Sequence, residues 1–559
     1  MRSHLIYIFA AAVTLAVALA YWPVLHAGFV WDDWRSFHDT PWLTQGDLWK
    51  HYIFRDFNSW TYYFRPIPLA LLTLQVRLFG STPGPMHAIS LALHLVDMLL
   101  VGALSWRCAK LAGRPVKVMT GVSTLCMLLY GLHPALIEPV SWIGCQFDLI
   151  ATCFMLLGLL ANAWIERPTL RATAVGLSFL VAACSKESAA VFPLLMLLFD
   201  WILFAYRADD RLSGRIKALA ARNVQAYLAV LISGLVYLAF RRWALGGIAS
   251  SFETQTLTPL GRLQEVCMVC LSYWRMLVWP VAGMSPIHPY DPRVFASVTP
   301  WSLSITGMVI GVVAGSVFAV LNRGAALACI VLAATVALLP VLHIIPVEFE
   351  QSLYHERYAM LSIAVVCSML PLLRWPSAQK SLVILRATKM TAAVAISLWL
   401  AFAVIAIQLI VPNWSSDANL WSWALLVQPH SSQAKNNLLH TYIKDRNVAA
   451  TRALGDRILA DSVPCTYCTL VIAKLALDEK DLARAQLALQ KSEQPTTLSQ
   501  DPSLLRDYYV VSGRLLAMRG LPEEAADAFR QALSLTPNDT DIQRQLQDVI
   551  QNEASGQDR

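Results

Sequence analysis

The chain has 559 residues, of which 56% are hydrophobic and only 14% are charged, and its formal net charge is +7 at pH 7. Soluble domains of ordinary composition carry about 25% charged residues, so this much apolar surface needs lipid as a second solvent. The basic residues stand in short stretches between apolar runs, which is typical of membrane topology and argues against nucleic acid as a partner.

Apolar runs of roughly 20 residues predict membrane-spanning helices. Eleven such runs occur: Leu5–Leu25, Met86–Trp106, Val118–Leu136, Leu149–Ile165, Ala172–Cys184, Ala189–Tyr206, Val224–Phe240, Ser302–Leu321, Ala325–His343, Tyr358–Leu373 and Met390–Val411. The first could instead be a signal peptide, because Ala18-Leu19-Ala20 is similar to a cleavage site. Phe64–Phe79 and Leu263–Val281 are predicted to be helices that lie in the membrane interface.

Lysine and arginine collect in alternate loops, which sets the orientation of the spans. Arg107–Lys117, Arg207–Arg222 and Arg374–Lys389 are basic, whereas Leu132–Asp148 contains no Lys or Arg. The basic loops are therefore predicted to face the cytoplasm. We expect an integral protein of a bacterial inner membrane, with a cytoplasmic N-terminus and a periplasmic C-terminal domain.

The sequence after Pro412 becomes polar and helix-forming, which predicts a second domain over residues 413–553 after a transmembrane domain of residues 1–412. One segment has the spacing of a tetratricopeptide repeat, at Tyr509, Gly513, Leu516, Ala525, Phe529, Ala532 and Pro537. Weaker copies place Ala485 and Ala450 at the position of Ala525, so three units are predicted to stack as an α-solenoid. A helical domain without repeats stays open, and residues 554–559 are predicted to be disordered.

Cys465 and Cys468 stand between the first two predicted units. Outside the cytoplasm, a Cys-x-x-Cys pair can close a local disulfide, and no second pair offers a zinc site. The other cysteines lie mostly in apolar runs, where a thiol behaves as a small hydrophobic group.

The loop after the first predicted span carries an acidic pair, Asp32 and Asp33, between Trp31 and Trp34. Adjacent acids repel, so holding both at a membrane interface costs stability unless a cation, a metal or a substrate compensates. A solvated acid beside a helix cap is the plain interpretation. The functional interpretation is a general base or a metal-binding pair at the membrane surface.

Further ionisable residues are predicted to gather on the same outer side. They are Arg65, Glu138, Asp148, Lys186, Glu187, Glu356 and Arg357. Such groups near the ends of spans are candidates for function because desolvating them is expensive. Carboxylates mixed with cations suit an anionic phosphate substrate whose leaving group departs as a nucleophile loses its proton. No cofactor is predicted, and no metal ligand is assigned.

Several of these runs together resemble one family. They are Phe29-Val30-Trp31-Asp32-Asp33, Phe64-Arg65-Pro66, His133-Pro134 through Glu138-Pro139-Val140 to Asp148, Ser185-Lys186-Glu187, Tyr273–Pro286 and Glu356-Arg357-Tyr358. In this order they resemble the GT-C glycosyltransferases, specifically the branch with C-terminal tetratricopeptide repeats that includes the transmembrane protein O-mannosyltransferases. The resemblance covers essentially the whole chain.

The resemblance implies an all-α fold with eleven to thirteen membrane helices, a polyprenyl-phosphate-linked sugar as donor and an acceptor outside the membrane. It makes Asp32 or Asp33 the catalytic base that engages the acceptor. It also implies that cations bind the donor phosphate, here Arg65, Lys186 and Arg357. The supporting acids are Glu138, Asp148, Glu187 and Glu356.

The sequence departs from the family at Gln146, where relatives often have an arginine two residues before the aspartate that matches Asp148. The donor phosphate would then depend on the other cations, so mannose is not implied. We expect a protein hydroxyl as acceptor, with the repeat domain holding the protein. The alternatives are a lipid or polysaccharide acceptor, and a scaffold without catalysis whose spans only anchor the repeats. A transporter is disfavoured because no inverted repeat is evident.

Overall fold

The computed structural model describes residues 4–55, 63–206, 211–248, 257–280, 283–345, 352–373, 382–493, 495–498 and 501–557. The fold is all-helical, and within these ranges the only β pairing is an isolated bridge between Pro289 and Ser352. The chain divides into two compact units, Met1–Leu420 and Trp421–Arg559.

Seventeen α-helices are described up to the end of the last long apolar helix. They are α1 His4–Ala20, α2 Pro41–Thr44, α3 Leu48–Ile53, α4 Pro66–Phe79, α5 Pro83–Leu111, α6 Val116–Gly131, α7 Ile137–Ser141, α8 Gln146–Trp164, α9 Pro168–Ala183, α10 Phe192–Asp200, α11 Leu212–Leu245, α12 Pro259–Val278, α13 Arg293–Ala296, α14 Pro300–Arg323, α15 Ala326–Leu338, α16 Met360–Met369 and α17 Leu382–Ile410. Several begin with proline in the first turn, where its missing N–H leaves no bond unmade.

Six helical segments of the described chain are long and apolar enough to cross a membrane, which indicates a membrane protein. They are Pro83–Leu111, Ile143–Trp164, Glu187–Ala205, Leu212–Leu245, Pro300–Arg323 and Ala387–Trp414. A seventh span results if Val116–Gly131 and Pro134–Ser141, which meet at 53°, are counted as one. Pro134 cannot continue the hydrogen bonding of α6, which accounts for a break there.

The prediction of eleven spans is not confirmed, because the remaining predicted runs form shorter helices. The first, fifth and ninth fall on Ile6–Ala20, Pro168–Ala183 and Ala326–Val341, which are too short to qualify by length. The tenth falls on α16, which has ten residues and is flanked by tighter helical turns. Neither α4 nor α12, predicted to be interfacial, is among the six segments.

The core of the first unit is built around α5, which contacts α6, α8 and α16. Gly102 lets α5 approach α6 closely, since a Cβ there would lie 2.6 Å from the Met127 side chain. Small residues allow this kind of close helix packing within membranes. The turns at the ends of α6, α8 and α16 carry four of the ionisable residues predicted to form a site, Glu138, Asp148, Glu356 and Arg357.

The boundary between the units falls inside the first of nine further helices. They are α18 Asp417–Val427, α19 Ser432–Lys444, α20 Val448–Ala460, α21 Thr466–Asp478, α22 Leu482–Gln490, α23 Pro495–Leu498, α24 Pro502–Met518, α25 Pro522–Leu535 and α26 Thr540–Gln557. The last helix includes most of the segment predicted to be disordered, and residues 558–559 lie outside the described residues.

In the second unit, each long helix packs against the next: α19 on α20, α21 on α22, and α24 on α25. A Cβ on Gly513 in α24 would lie 2.9 Å from the Phe529 ring in α25, so glycine permits this contact. Ala525 and Ala532 are fully buried on the same side of α25. The helical hairpins suit the predicted repeats, but the repeat assignment itself stays a prediction. Cys465 and Cys468 form a disulfide at the start of α21.

Candidate functional site

The acidic pair lies in the loop between α1 and α2, and its two members differ in environment. Asp32 is exposed, whereas Asp33 is completely buried. The Asp33 carboxylate accepts hydrogen bonds from the backbone N–H groups of Val30, at 3.3 Å, and Gly144, at 3.1 Å. Asp33 therefore joins its own loop to the turn before α8, while Asp32 is accessible from outside the protein.

Burial raises the pKa of Asp33 well above its ordinary value. The backbone donors on Val30 and Gly144 lower the pKa, and the negative charges of Asp32 and Asp417 raise it further. Desolvation disfavours the ionised carboxylate, and the two N–H groups only partly replace the lost water. A perturbed acid of this kind is typical of functional sites.

Trp31 takes a backbone conformation that is rare for a large residue. Its φ angle is +56°, in the left-handed region, and its indole stacks on Trp142 with a centroid distance of 4.9 Å. The His355 ring lies 6.1 Å from the Trp31 ring and is buried. Strained backbone next to an acidic pair is typical of sites where the surroundings enforce a geometry.

Arg357 joins this aromatic group to Glu138. Its Nη1 is 2.5 Å from Glu138 Oε1, and its backbone N–H donates to Glu138 Oε2 at 2.9 Å. Its guanidinium carbon lies 5.0 Å from the centroid of the Trp142 ring, within the range of cation–π attraction. Arg357 Nη2 also donates to the Tyr358 hydroxyl at 3.1 Å.

Lys186 continues the same network. Its Nζ is 2.5 Å from Asp148 Oδ1 and 4.8 Å from the centroid of the Tyr358 ring. Tyr358 therefore contacts two of the three predicted phosphate-binding cations, Arg357 and Lys186. Each of these two cations forms an ion pair with an acid, so the positive charge of the cation is balanced by a carboxylate.

Arg65 pairs with Glu187 through two hydrogen bonds, of 3.0 Å from Nε and 2.8 Å from Nη2. Arg241, which was not predicted, donates to the other Glu187 oxygen at 3.2 Å. Burial lowers the pKa of Arg65 but the Glu187 carboxylate raises it, and the net shift is upward. The Arg65 guanidinium also lies over Phe147, at 5.4 Å, next to Asp148 in the chain.

Glu356 lies in a neighbouring buried pair rather than among these cations. Its Oε1 is 2.9 Å from His288 Nε2 and also accepts a hydrogen bond from the backbone N–H of Ser285, at 3.3 Å. His288 stacks on Tyr354 with a centroid distance of 3.9 Å. The pair holds the chain after α12 against the turn that contains Arg357.

Gln146 does not substitute for the family's arginine in this arrangement. Its side chain is fully buried and exchanges two hydrogen bonds with Gln75, of 2.7 and 3.2 Å. It also donates to Ser90 Oγ and to the Met86 carbonyl. The amide therefore fastens α4, α5 and α8 together and contributes no charge to the site.

A small cavity, with a volume of about 20 Å³, opens beside the Lys186–Asp148 and Arg357–Glu138 pairs. It is lined by Asp148, Thr152, Met155, Ser188, Ala337, Pro340, Val341, Arg357, Tyr358, Met360 and Leu361. Charged and hydroxyl groups occupy part of its wall, and apolar side chains from α8, α15 and α16 occupy the rest. Among the described residues, no group of three or more His, Cys, Asp or Glu side chains suits a metal ion.

The structure places six of the nine predicted residues in three ion pairs, Arg65–Glu187, Lys186–Asp148 and Arg357–Glu138, and Tyr358 contacts the last two pairs. Asp33 is bound to a neighbouring turn, Asp32 is exposed, and Glu356 pairs with His288. Trp31, Trp142, Arg241, His288 and His355 were not predicted to lie among these contacts. Only Trp31 had a local signal, its place beside the acidic pair; the others become neighbours through the fold. Neither protein-family models, curated proteins nor solved structures gave a match to this chain, so the geometry of the site carries the functional argument.

Proposed function

We propose that the chain is a membrane glycosyltransferase that moves a sugar from a polyprenyl-phosphate-linked donor to an extracytoplasmic protein hydroxyl. One observation carries the proposal: acids and cations from separate turns of the chain form a connected network beside a cavity with an apolar wall. Asp148, Arg357 and Tyr358 lie at the polar part of that cavity, and Lys186 is paired with Asp148. A lipid phosphate needs this combination of charge and apolar surface, and the cavity of about 20 Å³ would have to widen to admit it.

In the proposed reaction, the exposed Asp32 accepts the proton of the acceptor hydroxyl as its oxygen attacks the anomeric carbon of the sugar. The new C–O bond forms as the bond from that carbon to the phosphate oxygen breaks, which inverts the anomeric configuration. Asp33, fixed by two backbone N–H groups, orients the loop that carries Asp32. In enzymes generally, electrostatic stabilisation of the charge that develops in the transition state is often the largest contribution to catalysis.

The departing lipid phosphate takes up negative charge, and Arg65, Lys186 and Arg357 are proposed to stabilise it. Each cation is paired with a carboxylate in the structure, so the phosphate would share or displace these partners. Arg241 contributes a second guanidinium beside Glu187. The proposed mechanism uses only side chains of the protein.

The remaining parts of the proposal concern fold and location. The ordered motifs support a GT-C-like membrane domain, and the paired helices of the second unit support a tetratricopeptide-like domain that holds the protein acceptor. We place the protein in a bacterial inner membrane, with this domain in the periplasm. The disulfide between Cys465 and Cys468 supports an oxidising compartment, because such bonds are rare in the cytosol. A lipid or polysaccharide acceptor is the nearest alternative.

The test is a glycan profile of periplasmic proteins and lipids from cells with and without the gene. Complementation with the Asp32→Asn/Asp33→Asn double variant should fail to restore the missing glycan. Asp39→Asn is the matched control, because Asp39 is an exposed acid in the same loop and pairs with His38 at the surface. Restoration of the glycan by a well-inserted double variant would overturn the enzymatic proposal and favour a scaffold.

A further inference from the structure

The outer ends of the first and last apolar helices of the first unit are joined by a row of hydrogen bonds. From the membrane outward they run from Gln408 Nε2 to the Ala20 carbonyl at 2.6 Å, from Gly28 N–H to the Ser415 carbonyl at 2.9 Å, and from Trp31 N–H to Asp417 Oδ1 at 2.7 Å. The row ends at the residue before the acidic pair. The segment after the last span is thereby attached to the loop that carries the proposed chemistry.

The contact at Gly28 is too close for a side chain unless the neighbouring backbone shifts by a few tenths of an ångström. A Cβ at this position would lie 3.2 Å from the Ser415 carbonyl oxygen, which is tighter than ordinary van der Waals contact. The Gly28 carbonyl is held on its other side by His87 Nε2, at 3.2 Å. The loop is therefore fixed at Gly28 before it reaches Trp31.

The contact at Asp417 is made by the backbone of a strained residue. A left-handed conformation is unfavourable for a bulky side chain and persists only when the surroundings enforce it. The interactions that act on Trp31 include the hydrogen bond from its N–H to Asp417 and the stacking of its indole on Trp142. A carboxylate acceptor makes this hydrogen bond stronger than a neutral acceptor would.

We propose that Asp417 is a positioning residue for the acidic pair: by binding the Trp31 N–H, it holds the turn in which Asp32 faces the acceptor and Asp33 meets Gly144. The catalytic role of this turn rests on the proposed function, whereas the attachment itself does not. Asp417 is the first residue of α18, the helix that begins the C-terminal segment. A truncation after Trp414 would therefore remove part of the transfer site together with the tail.

The first measurement is hydrogen–deuterium exchange of the full-length protein in detergent, read on a peptide that covers Phe29 to Trp34. Asp417→Ala removes the acceptor and should raise exchange at the Trp31 amide by about tenfold or more. Asp417→Asn keeps an oxygen in the same place and should restore most of the protection. Asp291→Asn is the matched control, because Asp291 is an outer-loop acid that pairs with Arg293. Unchanged exchange in Asp417→Ala would overturn the attachment.

The second measurement is transfer kinetics with synthetic polyprenyl-phosphate hexoses and pentoses as donors and a Ser/Thr peptide as acceptor. Asp417→Ala should lower kcat by roughly 10- to 100-fold and leave the donor KM close to that of the wild type, since misplacing a catalytic group acts on the chemical step. Asp417→Asn should recover most of kcat. A variant that exchanges faster at Trp31 but keeps a normal kcat would overturn the positioning role.

A third variant distinguishes loss of the attachment from simple misfolding of Asp417→Ala. Gly28→Ala presses on the Ser415 carbonyl from the other side of the contact and should give a milder version of both effects, with normal membrane insertion.

The two proposals can fail separately. Absence of transfer by the wild type with every donor, while Asp417 still protects the Trp31 amide, would count against the proposed function and leave the attachment in place. Normal exchange and kcat in Gly28→Ala would count against the attachment.

Discussion

Arg357 and Glu138 stand 219 positions apart in the chain, yet Arg357 Nη1 lies 2.5 Å from Glu138 Oε1. The side chains are only 7% and 3% exposed, so the pair is shielded from water. The backbone N–H of Arg357 adds a hydrogen bond to the second oxygen of the same carboxylate. This ion pair fixes the turn before α16 against α7 and holds Arg357 between Trp142 and Tyr358.

Breaking the Arg357–Glu138 pair from one side should destabilise the protein strongly. Arg357→Met leaves Glu138 buried without its partner, which typically costs about 3–5 kcal/mol, and the Glu138→Gln/Arg357→Met double variant should recover part of that loss. Thermal unfolding in detergent measures the effect. Arg293→Met is the control, because its pair with Asp291 is exposed and such pairs contribute about 0–1 kcal/mol. Equal losses for the buried and the exposed pair would contradict the structural role.

Asp32 and Asp33, the two members of the acidic pair, should differ in their effect on the rate of sugar transfer. Asp32→Asn removes the proposed base, and general-base assistance contributes about 10²–10⁴-fold, so transfer should fall on that order while donor lipid still binds. Asp33→Asn places an amide N–H₂ group opposite the N–H groups of Val30 or Gly144, so it should disturb the loop as well as the rate. The measurements are initial rates and donor-lipid binding. A larger rate loss in a well-folded Asp33→Asn than in Asp32→Asn would reverse the assignment of the base.

Asp33 should make the stability of the protein depend on pH. Its pKa in the folded protein is raised above the ordinary value of 3.8, so the folded state holds the proton more tightly than the unfolded chain. The stabilisation is fully present below about pH 3.8 and is lost as the pH rises through the folded pKa. The Tm of the wild type relative to Asp33→Asn should therefore fall between pH 4 and 8. A constant difference in Tm across this range would show that Asp33 does not titrate as proposed.

The buried amide pair Gln75–Gln146 should contribute to packing and not to donor binding. Gln75→Ala and Gln146→Ala each leave buried polar groups without partners, at about 1–3 kcal/mol each. Because the residues share hydrogen bonds, the double variant should be less destabilised than the sum, by about 0.5–3 kcal/mol. A double-mutant cycle on Tm, with donor-lipid binding as a second readout, tests this. Weaker donor binding without loss of stability would give Gln146 a direct role in the site.

The C-terminal segment should be extracytoplasmic. The basic loops are predicted to face the cytoplasm, so reporter fusions at Ser415 and Ser377 should report opposite compartments; Ser377 lies outside the described residues. Fusions that respond to the periplasm should be active at Ser415 and inactive at Ser377. A cytoplasmic signal at Ser415 would reverse the topology and place the acidic pair on the wrong side for an extracytoplasmic acceptor.

The amino-acid sequence by itself determined where helices form. Each of the eleven predicted runs falls mainly on helical structure, because hydropathy is a local property of consecutive residues. The sequence also located the acidic pair and the close contact at Gly513. Helix length was harder to predict: the run Val118–Leu136 is broken before Pro134, and the run Tyr358–Leu373 contains only the ten-residue α16 with tighter helical turns at both ends.

Tertiary structure decided which groups meet and in what environment. Nothing local to Lys186 or Arg65 indicates that one pairs with Asp148 and the other with Glu187, since these contacts join residues 38 and 122 positions apart. The same holds for the burial of Asp33 beside an exposed Asp32, which depends on Gly144, 111 positions away. Desolvation and ion pairing are set by atoms brought together from distant parts of the chain. For this reason the sequence identified the candidate residues, and only the fold distinguished their environments.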